Sequence, residues 1–286
     1  MGTASIFKCV GQEVEIIPDS ILEGLNISYE ESNKSAHEMA ILAKALKEYK
    51  NKKYCKLPFC HTVESEAFGS TIIFDQKVGN RIGKYKINDI NLVEGISEID
   101  LDEGRIAEVL RAINILKKNE ENVILNITGP FSVATSIMDS GLFYRSVRKN
   151  REKINKLLEI IESSIVEFIL AGVKQGVDFI SFADPVGTMD IVGPKIYKDI
   201  SGQSTYNILK RVESRLGKTI IHICGKTSTS LEAIGLIEVE RIKAEGQDYL
   251  DIIKNIKEER KDIKFIGHWC LNLNKSNGEI INCKIK

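Results

Sequence analysis

Histidine is scarce in this chain of 286 residues, with four copies, and tryptophan occurs once. Neither sign of charge is in excess, because forty Lys and Arg residues offset forty Asp and Glu. A general binder of nucleic acid or of anionic membranes needs a basic surplus, so the balance argues against both. No apolar run approaches the ~18 residues that a membrane span requires. The opening Met-Gly-Thr-Ala-Ser-Ile-Phe-Lys-Cys-Val lacks the basic segment and apolar stretch of a secretory leader. These absences point to a cytoplasmic protein. In that setting the six cysteines, Cys9, Cys55, Cys60, Cys224, Cys270 and Cys283, read as reduced thiols, core fillers or ligands, not as a disulfide framework. Low-complexity tracts and an interdomain linker are also missing, so residues 1–286 read as one domain with ample length for a large core.

Against this scarcity, two copies of one triplet stand out: His222-Ile-Cys224 and His268-Trp-Cys270. Chance placement of so few histidines and cysteines gives roughly a tenth of one such triplet. Each ends an apolar run, and in a strand residues i and i+2 project from one face. Imidazole and thiolate aimed in one direction form a borderline-soft donor set suited to Zn2+. A buried cysteine beside a satisfied core histidine is the plainer alternative for either triplet alone.

Apolar, β-rich runs alternate with amphipathic segments. After a first strand at Ile6–Val10 and an irregular stretch to about Ser32, Ser35–Lys50 reads as a helix. Ser35 and Glu38 suit its start, and Met39, Leu42, Ala43 and Leu46 recur at helical spacing. Strands are expected at Tyr54–Cys60, Val123–Ile127, Val177–Ala183, Thr219–Cys224, Glu238–Ile242 and Lys264–Cys270, with a further short one at Glu279–Ile285. Helical patterns fall at Asp102–Lys118, Lys149–Ala171, Thr205–Leu216, Ser228–Ile234 and Gly246–Glu259. Such alternation implies parallel βαβ units, and their number suggests an α/β fold of the (β/α)8 barrel type. No Gly-x-Gly-x-x-Gly follows the first strand, which lowers the dinucleotide-binding alternative. Ile72–Ile90, punctuated by Gly79, Gly83 and Asn88, reads as a hairpin or an excursion over the barrel mouth.

Active sites of such barrels sit at the C-terminal ends of the strands. Here those ends are Cys60-His61, Gly129-Pro130, Ala183-Asp184-Pro185 and the two triplets. On the Thr219–Cys224 strand, Ile221 and Ile223 are expected to face the helical layer, and His222 and Cys224 the barrel axis. Glu64, Glu66 and Asp184 are mouth carboxylates that suit a ligand, a general base or an orienter of a metal-bound histidine. A helix cap or loop carboxylate is as good a reading for each. Arg81, Lys84 and Lys86 on the excursion suit an anionic substrate or a partner, or are simply solvated.

Four segments together carry a family resemblance: Pro58-Phe-Cys-His-Thr-Val-Glu-Ser-Glu-Ala-Phe-Gly69, Ile127-Thr-Gly-Pro-Phe131, Ala183-Asp-Pro185 and His222-Ile-Cys-Gly225. From about Cys9 to Cys270 the chain resembles the cobamide-dependent methyltransferase branch of the uroporphyrinogen decarboxylase superfamily. The resemblance implies a (β/α)8 TIM barrel; the chain departs from the family pattern in a shortened C-terminal unit, with sixteen residues after Cys270. The resemblance also implies a zinc-dependent methyltransferase that moves a methyl group between a corrinoid (methylcobamide) on a separate protein and a thiol or other small molecule. By that match His222 and Cys224 are zinc ligands and a later cysteine is the third. Cys270 is favoured over Cys283, because its strand carries it to a mouth. Glu64 matches the family's mouth carboxylate segment and, with Asp184, is the candidate catalytic residue. A porphyrinogen decarboxylase ranks behind, since Ile6–Gly11 offers only Lys8 to grip several carboxylates. A non-catalytic zinc- or corrinoid-binding barrel is the remaining alternative, because only a short tail follows Cys270.

Overall fold

The computed structural model describes residues 17–246, 248–272 and 278–286. The expected strand at Ile6–Val10 and the Lys8 and Cys9 side chains lie outside these residues. The described chain opens with three helices, α1 (Asp19–Leu25), α2 (Tyr29–Lys34) and α3 (Ala36–Tyr49). The first two occupy the stretch that sequence pattern left irregular. The start of α2 is a capping box: the Glu31 N–H donates to Ser28 Oγ at 3.2 Å, and the Ser28 N–H to the Glu31 carboxylate at 3.0 Å. That signal is confined to four residues, too few to register as a periodic pattern.

Strand β1 (Tyr54–Leu57) and helix α4 (Val63–Ala67) come next, then an antiparallel hairpin of β2 (Thr71–Ile73) and β3 (Arg81–Lys84). Helix α5 (Gly104–Lys118) leads to β4 (Asn122–Thr128), and α6 (Pro130–Ile137), α7 (Ser140–Lys149) and α8 (Arg151–Lys174) lead to β5 (Phe179–Ala183). Helices α9 (Met189–Val192), α10 (Pro194–Ile196) and α11 (Gly202–Val212) precede β6 (Ile220–Ile223). The last elements are α12 (Gly225–Ala233), β7 (Ile237–Lys243), α13 (Tyr249–Glu259), β8 (Phe265–Gly267) and β9 (Glu279–Ile285). None of the described helices is long and apolar enough to cross a membrane.

Among the described residues seven strands form one sheet, in the order β1-β4-β5-β6-β8-β9-β7. The first five are parallel, as βαβ units require. The end of the chain departs from the expected alternation: β9 runs antiparallel to both β8 and β7. The last strands are thus an antiparallel pair on the edge of the parallel sheet. The reason is reach, since residues 268–278 are fewer than the ~12 that a parallel crossover takes.

Register sorts the side chains of the sheet into two faces. Ile124, Phe179 and Ile220 align across β4, β5 and β6, and His222 aligns with Ser181 and Ile266. These residues look away from the main helical layer. Leu125, Ile180, Ile221 and Phe265 look the other way, into one core with Leu42, Ile113, Ile161 and Leu209 of α3, α5, α8 and α11. Ile221 and Ile223 therefore meet the helices, as alternation requires.

The inner face carries a second, separate core: Tyr54, Ile124, Phe179, Ile220, Ile266 and Ile280 pack with Tyr249, Ile252 and Ile253 of α13. An outer-layer helix is the natural reading of Gly246–Glu259 in a β/α repeat. Here α13 leaves the outlying β7, crosses the inner face and delivers the chain to β8, between β6 and β9. Its stripe of Tyr249, Ile252, Ile253 and Ile256 has the spacing of a buried helix face. Because this stripe is core, Ile253→Ala should lower the unfolding free energy by about 2–4 kcal/mol in urea titration. A loss below ~0.5 kcal/mol, the range of surface substitutions, would show that α13 does not pack there.

Candidate functional site

The C-terminal ends of β1, β4, β5, β6 and β8 gather most of the residues singled out from sequence. Glu64, on α4, is about 1% exposed. Its Oε1 accepts the Thr128 N–H at 2.7 Å, from the last residue of β4, while its Oε2 has no partner. Burial raises its pKa above the ordinary carboxylate value, and the Thr128 hydrogen bond only partly opposes this. The Thr128 hydroxyl also lies 3.5 Å from Nδ1 of the exposed His61. Glu64 is therefore a sealed acid with one unsatisfied oxygen at the strand ends.

Asp184 is equally buried but fully engaged. It accepts from the Phe131 N–H at 3.0 Å and from the Ser132 N–H and Oγ at 2.8 and 2.7 Å. These donors are in the first turn of α6, which begins at Pro130, so the carboxylate fills the helix N-terminus. Glycines wall it in: a Cβ at Gly129 would stand 2.3 Å from Asp184 Cβ, and one at Gly187 2.4 Å from Oδ2. Burial nevertheless raises its pKa. The geometry makes Asp184 the clamp that joins the ends of β5 and β4.

His222 projects from β6 into the inner face at about 1% exposure. Its Nε2 lies 3.4 Å from the hydroxyl of Tyr249, and the two rings meet edge-on at 5.7 Å and 88°. Burial, reinforced by the Lys56 ammonium, pushes the His222 pKa down to about 3, so the ring is a neutral imidazole. Burial likewise pushes the Tyr249 phenol up, with smaller contributions from Cys283 and Cys270. Cys224, two residues beyond His222, is half-buried at the N-terminus of α12, and its N–H donates to Phe182 O at 2.8 Å.

The second triplet is built differently. His268 is a non-glycine residue in the left-handed region, with φ of 67°. Helix α12 grips it twice: its N–H donates to Ser228 Oγ at 2.7 Å, and Nε2 lies 2.7 Å from Glu232 Oε2. Nδ1 is buried without a partner. Cys270 is half-buried, whereas Cys283 lies inside the outer core, its thiol 3.0 Å from where a Cβ on Gly267 would stand. Burial pushes the Cys283 pKa well up.

Among the described residues no three His, Cys, Asp or Glu side chains come together to hold a metal ion. His222 and Cys270 both border Tyr249, but the nitrogen that would bind metal is turned to a phenol. The set His222, Cys224 and Cys270 does not fit a zinc ion in this conformation.

A further cluster was not foreseen from sequence. Arg105, on α5 and about 6% exposed, donates to Cys60 Sγ at 3.2 Å and to Thr62 Oγ1 at 2.8 Å, and pairs with Glu66. Its guanidinium also lies 5.2 Å from the ring centre of Phe74, which follows β2. The hairpin is thereby fixed beside the end of β1. One signal was available: a basic side chain in the first turn of a helix opposes the macrodipole and calls for anionic partners. Tyr249 gave a weaker signal, as the first member of the α13 stripe.

The parallel strands, their outer helices and the polar residues at the strand ends define a TIM-barrel-class α/β protein. Residues 8–267 match the family Uroporphyrinogen decarboxylase (URO-D), and the chain belongs to that family. It is 26% identical over 228 residues to "Methylcobamide:CoM methyltransferase MtbA" of Methanosarcina mazei, covering 78% of this chain and 67% of that protein. It is 27% identical over 217 residues to "Methylcobamide:CoM methyltransferase MtaA" of Methanosarcina barkeri, covering 74% of this chain and 62% of the relative. A solved "methyltransferase from Methanosarcina mazei" shares the fold at a TM-score of 0.65 and 24% identity, over 75% of this chain and 64% of that one. The chain thus spans about two thirds of the length of these proteins.

Two outcomes follow from the buried groups. Asp184→Ala should cost about 2–4 kcal/mol in urea unfolding, combining a lost helix cap with buried N–H groups left unpaired. A near-neutral substitution would show that the cap is dispensable. The unfolded His222 protonates near 6.5 while the folded ring stays neutral to about 3, so acidification through that window favours the unfolded chain. His222→Gln should reduce the stability lost between pH 6.5 and 4.5 by about 2 kcal/mol. An unchanged pH dependence would contradict the sealed, neutral ring.

Proposed function

We propose that this protein transfers a methyl group between a corrinoid carried by a separate protein and a small thiol or other small acceptor or donor. The observation that carries the reading is the family match over residues 8–267, joined to relatives named as methylcobamide:CoM methyltransferases. The segments Pro58–Gly69, Ile127–Phe131, Ala183–Pro185 and His222–Gly225 support it, because the fold brings all four to one end of the sheet. In this reading Glu64 is the polar partner of the small substrate at the mouth, and Asp184 positions the β4 and β5 ends around it. Thr128 and His61 add hydrogen-bonding groups at the same rim. The protein works in the cytoplasm.

Zinc, where present, supplies thiolate chemistry at neutral pH. Its proposed donors are His222, Cys224 and Cys270. Among the described residues these donors do not come together to hold the ion. A second reading, a non-catalytic barrel that binds the corrinoid or zinc without transferring a methyl group, makes the same use of the strand ends and differs only in the outcome of the transfer test.

The direct test is free methylcobalamin with 2-mercaptoethanol, 2-mercaptoethanesulfonate or homocysteine, followed by the absorbance of the corrinoid. Demethylation should be faster with protein than without it for at least one thiol, and Glu64→Ala should slow it at least tenfold. No acceleration with any thiol, with small amines or with a methylated corrinoid protein as donor would leave the binding reading in place.

A further inference from the structure

We infer that the β2–β3 hairpin is a docking surface for an acidic face of the corrinoid-carrying protein. It presents an apolar patch ringed by cations beside the strand ends. The inference deepens the proposed function and rests on that reading for the identity of the partner.

Charge is the first observation. The chain as a whole is neutral, yet Gln76 to Asn88 holds Lys77, Arg81, Lys84 and Lys86 and no Asp or Glu. Arg81 donates to Asp75 at 2.9 Å. The ammonium groups of Lys77, Lys84 and Lys86 have no ion pair among the described residues.

The second observation is the apolar surface among these cations. Register places Thr71, Ile73, Arg81 and Lys84 on the exposed face of the hairpin, with Ile72 and Ile82 half-buried on the other. Ile73 lies across Gly83, where an added Cβ would stand 3.0 Å from its Cγ1. Ile73 is 44% exposed, Val78 in the turn 65%, and Tyr85, just past β3, 37%. These are three of the six large apolar side chains exposed among the described residues, so the patch is concentrated and not scattered.

Third, the hairpin is anchored. Phe74 meets the Lys34 ammonium at 4.7 Å and the Arg105 guanidinium at 5.2 Å, and Asn80 donates to Asn33 at 2.9 Å. Asp75 Oδ1 accepts the Lys77 and Val78 N–H groups at 3.0 and 3.1 Å, which fixes the turn. Beyond β3 the Ile87 N–H donates to Ile137 O at 2.8 Å and ties the element to α6, which follows β4. The surface is therefore preformed.

An apolar centre with a charged rim is the anatomy of a protein interface, and lysines at that rim call for Asp or Glu opposite them. A patch of this size makes a small, charge-steered and quickly reversed contact. That suits a carrier, which has to leave after each transfer. Lipid also accepts basic and apolar side chains together. It is the poorer occupant here, because it would cover the strand ends that the carrier has to approach.

Each corrinoid protein of the source organism, loaded with methylcobalamin, is the probe. It is titrated against the chain by calorimetry and used as a donor beside free methylcobalamin. One variant combines Lys77→Glu, Lys84→Glu and Lys86→Glu; a second combines Ile73→Ser and Val78→Ser. All five positions are exposed, so urea unfolding should stay at the wild-type midpoint. At least one corrinoid protein should bind the wild type, and either variant about tenfold or more weakly. Wild-type binding should weaken as NaCl rises from roughly 20 to 200 mM, and the triple variant should lose that dependence. The same protein used as donor should show a raised KM with the triple variant, while transfer from free methylcobalamin is unchanged. The proposal is overturned if no corrinoid protein binds the wild type, or if the variants bind as well as it does. It is overturned equally if the wild type, and not the triple variant, sediments with phosphatidylcholine–phosphatidylserine vesicles, which would assign the surface to a membrane. Binding through the hairpin with no methyl transfer to any thiol leaves the surface standing and removes the methyl-transfer reading. Transfer from free methylcobalamin, with the variants binding the carrier normally, does the reverse.

Discussion

A parallel sheet covered on both sides has to bury two faces, and the rest of this molecule answers that requirement. The outer face of β4, β5 and β6 is apolar throughout, whereas the inner face mixes Ile124, Phe179 and Ile220 with Asn126, Ser181 and His222, which need polar partners once covered. A closed barrel meets the constraint by filling its own interior with strand side chains. In this chain the last unit turns back as an antiparallel pair, and α13 covers the inner face in its place. The fold is thus a TIM-barrel relative whose interior is completed by a helix.

That solution decides the chemistry of the groups it encloses. Buried ionisable groups here are either hydrogen-bonded or pushed toward their neutral forms, because an uncompensated charge in low dielectric is too costly. Asp184 has three donors and serves as a clamp. Glu64 has one and retains an idle oxygen. His222 has only a phenol before it and stays neutral. His268, by contrast, is backed by Glu232 and held in an unfavourable backbone conformation by α12. The two His-x-Cys triplets look alike in sequence and serve different surroundings.

Much of the framework was legible before any coordinates. The long amphipathic patterns fell where α3, α5 and α8 lie, the apolar runs fell on β1, β4, β5, β6 and β8, and the Gly-punctuated excursion is the β2–β3 hairpin. Short elements such as α1 and α2 were missed, since a capping box of four residues generates no periodic signal. The candidate site was legible in part. Glu64, Asp184, His222 and Cys224 were picked for residue type and position at strand ends, and the structure does bring those ends together. The partners were not: Thr128 for Glu64, Phe131 and Ser132 for Asp184, Tyr249 for His222, Glu232 for His268.

Sequence by itself determined the class of fold and which strand residues share a face, because period-two and period-3.6 patterns are local properties of the chain; that β9 runs antiparallel to β7 and β8 was decided by the tertiary structure. Sequence also determined the scarcity that made each histidine informative. Only the tertiary structure decided that α13 lies inside rather than outside. An amphipathic stripe states that a helix will bury one face, without stating against what. The same holds for the triplets: spacing can aim an imidazole and a thiol in one direction, but what stands before them comes from residues distant in sequence. For His222 that residue is Tyr249, and it turns an expected metal ligand into a covered one.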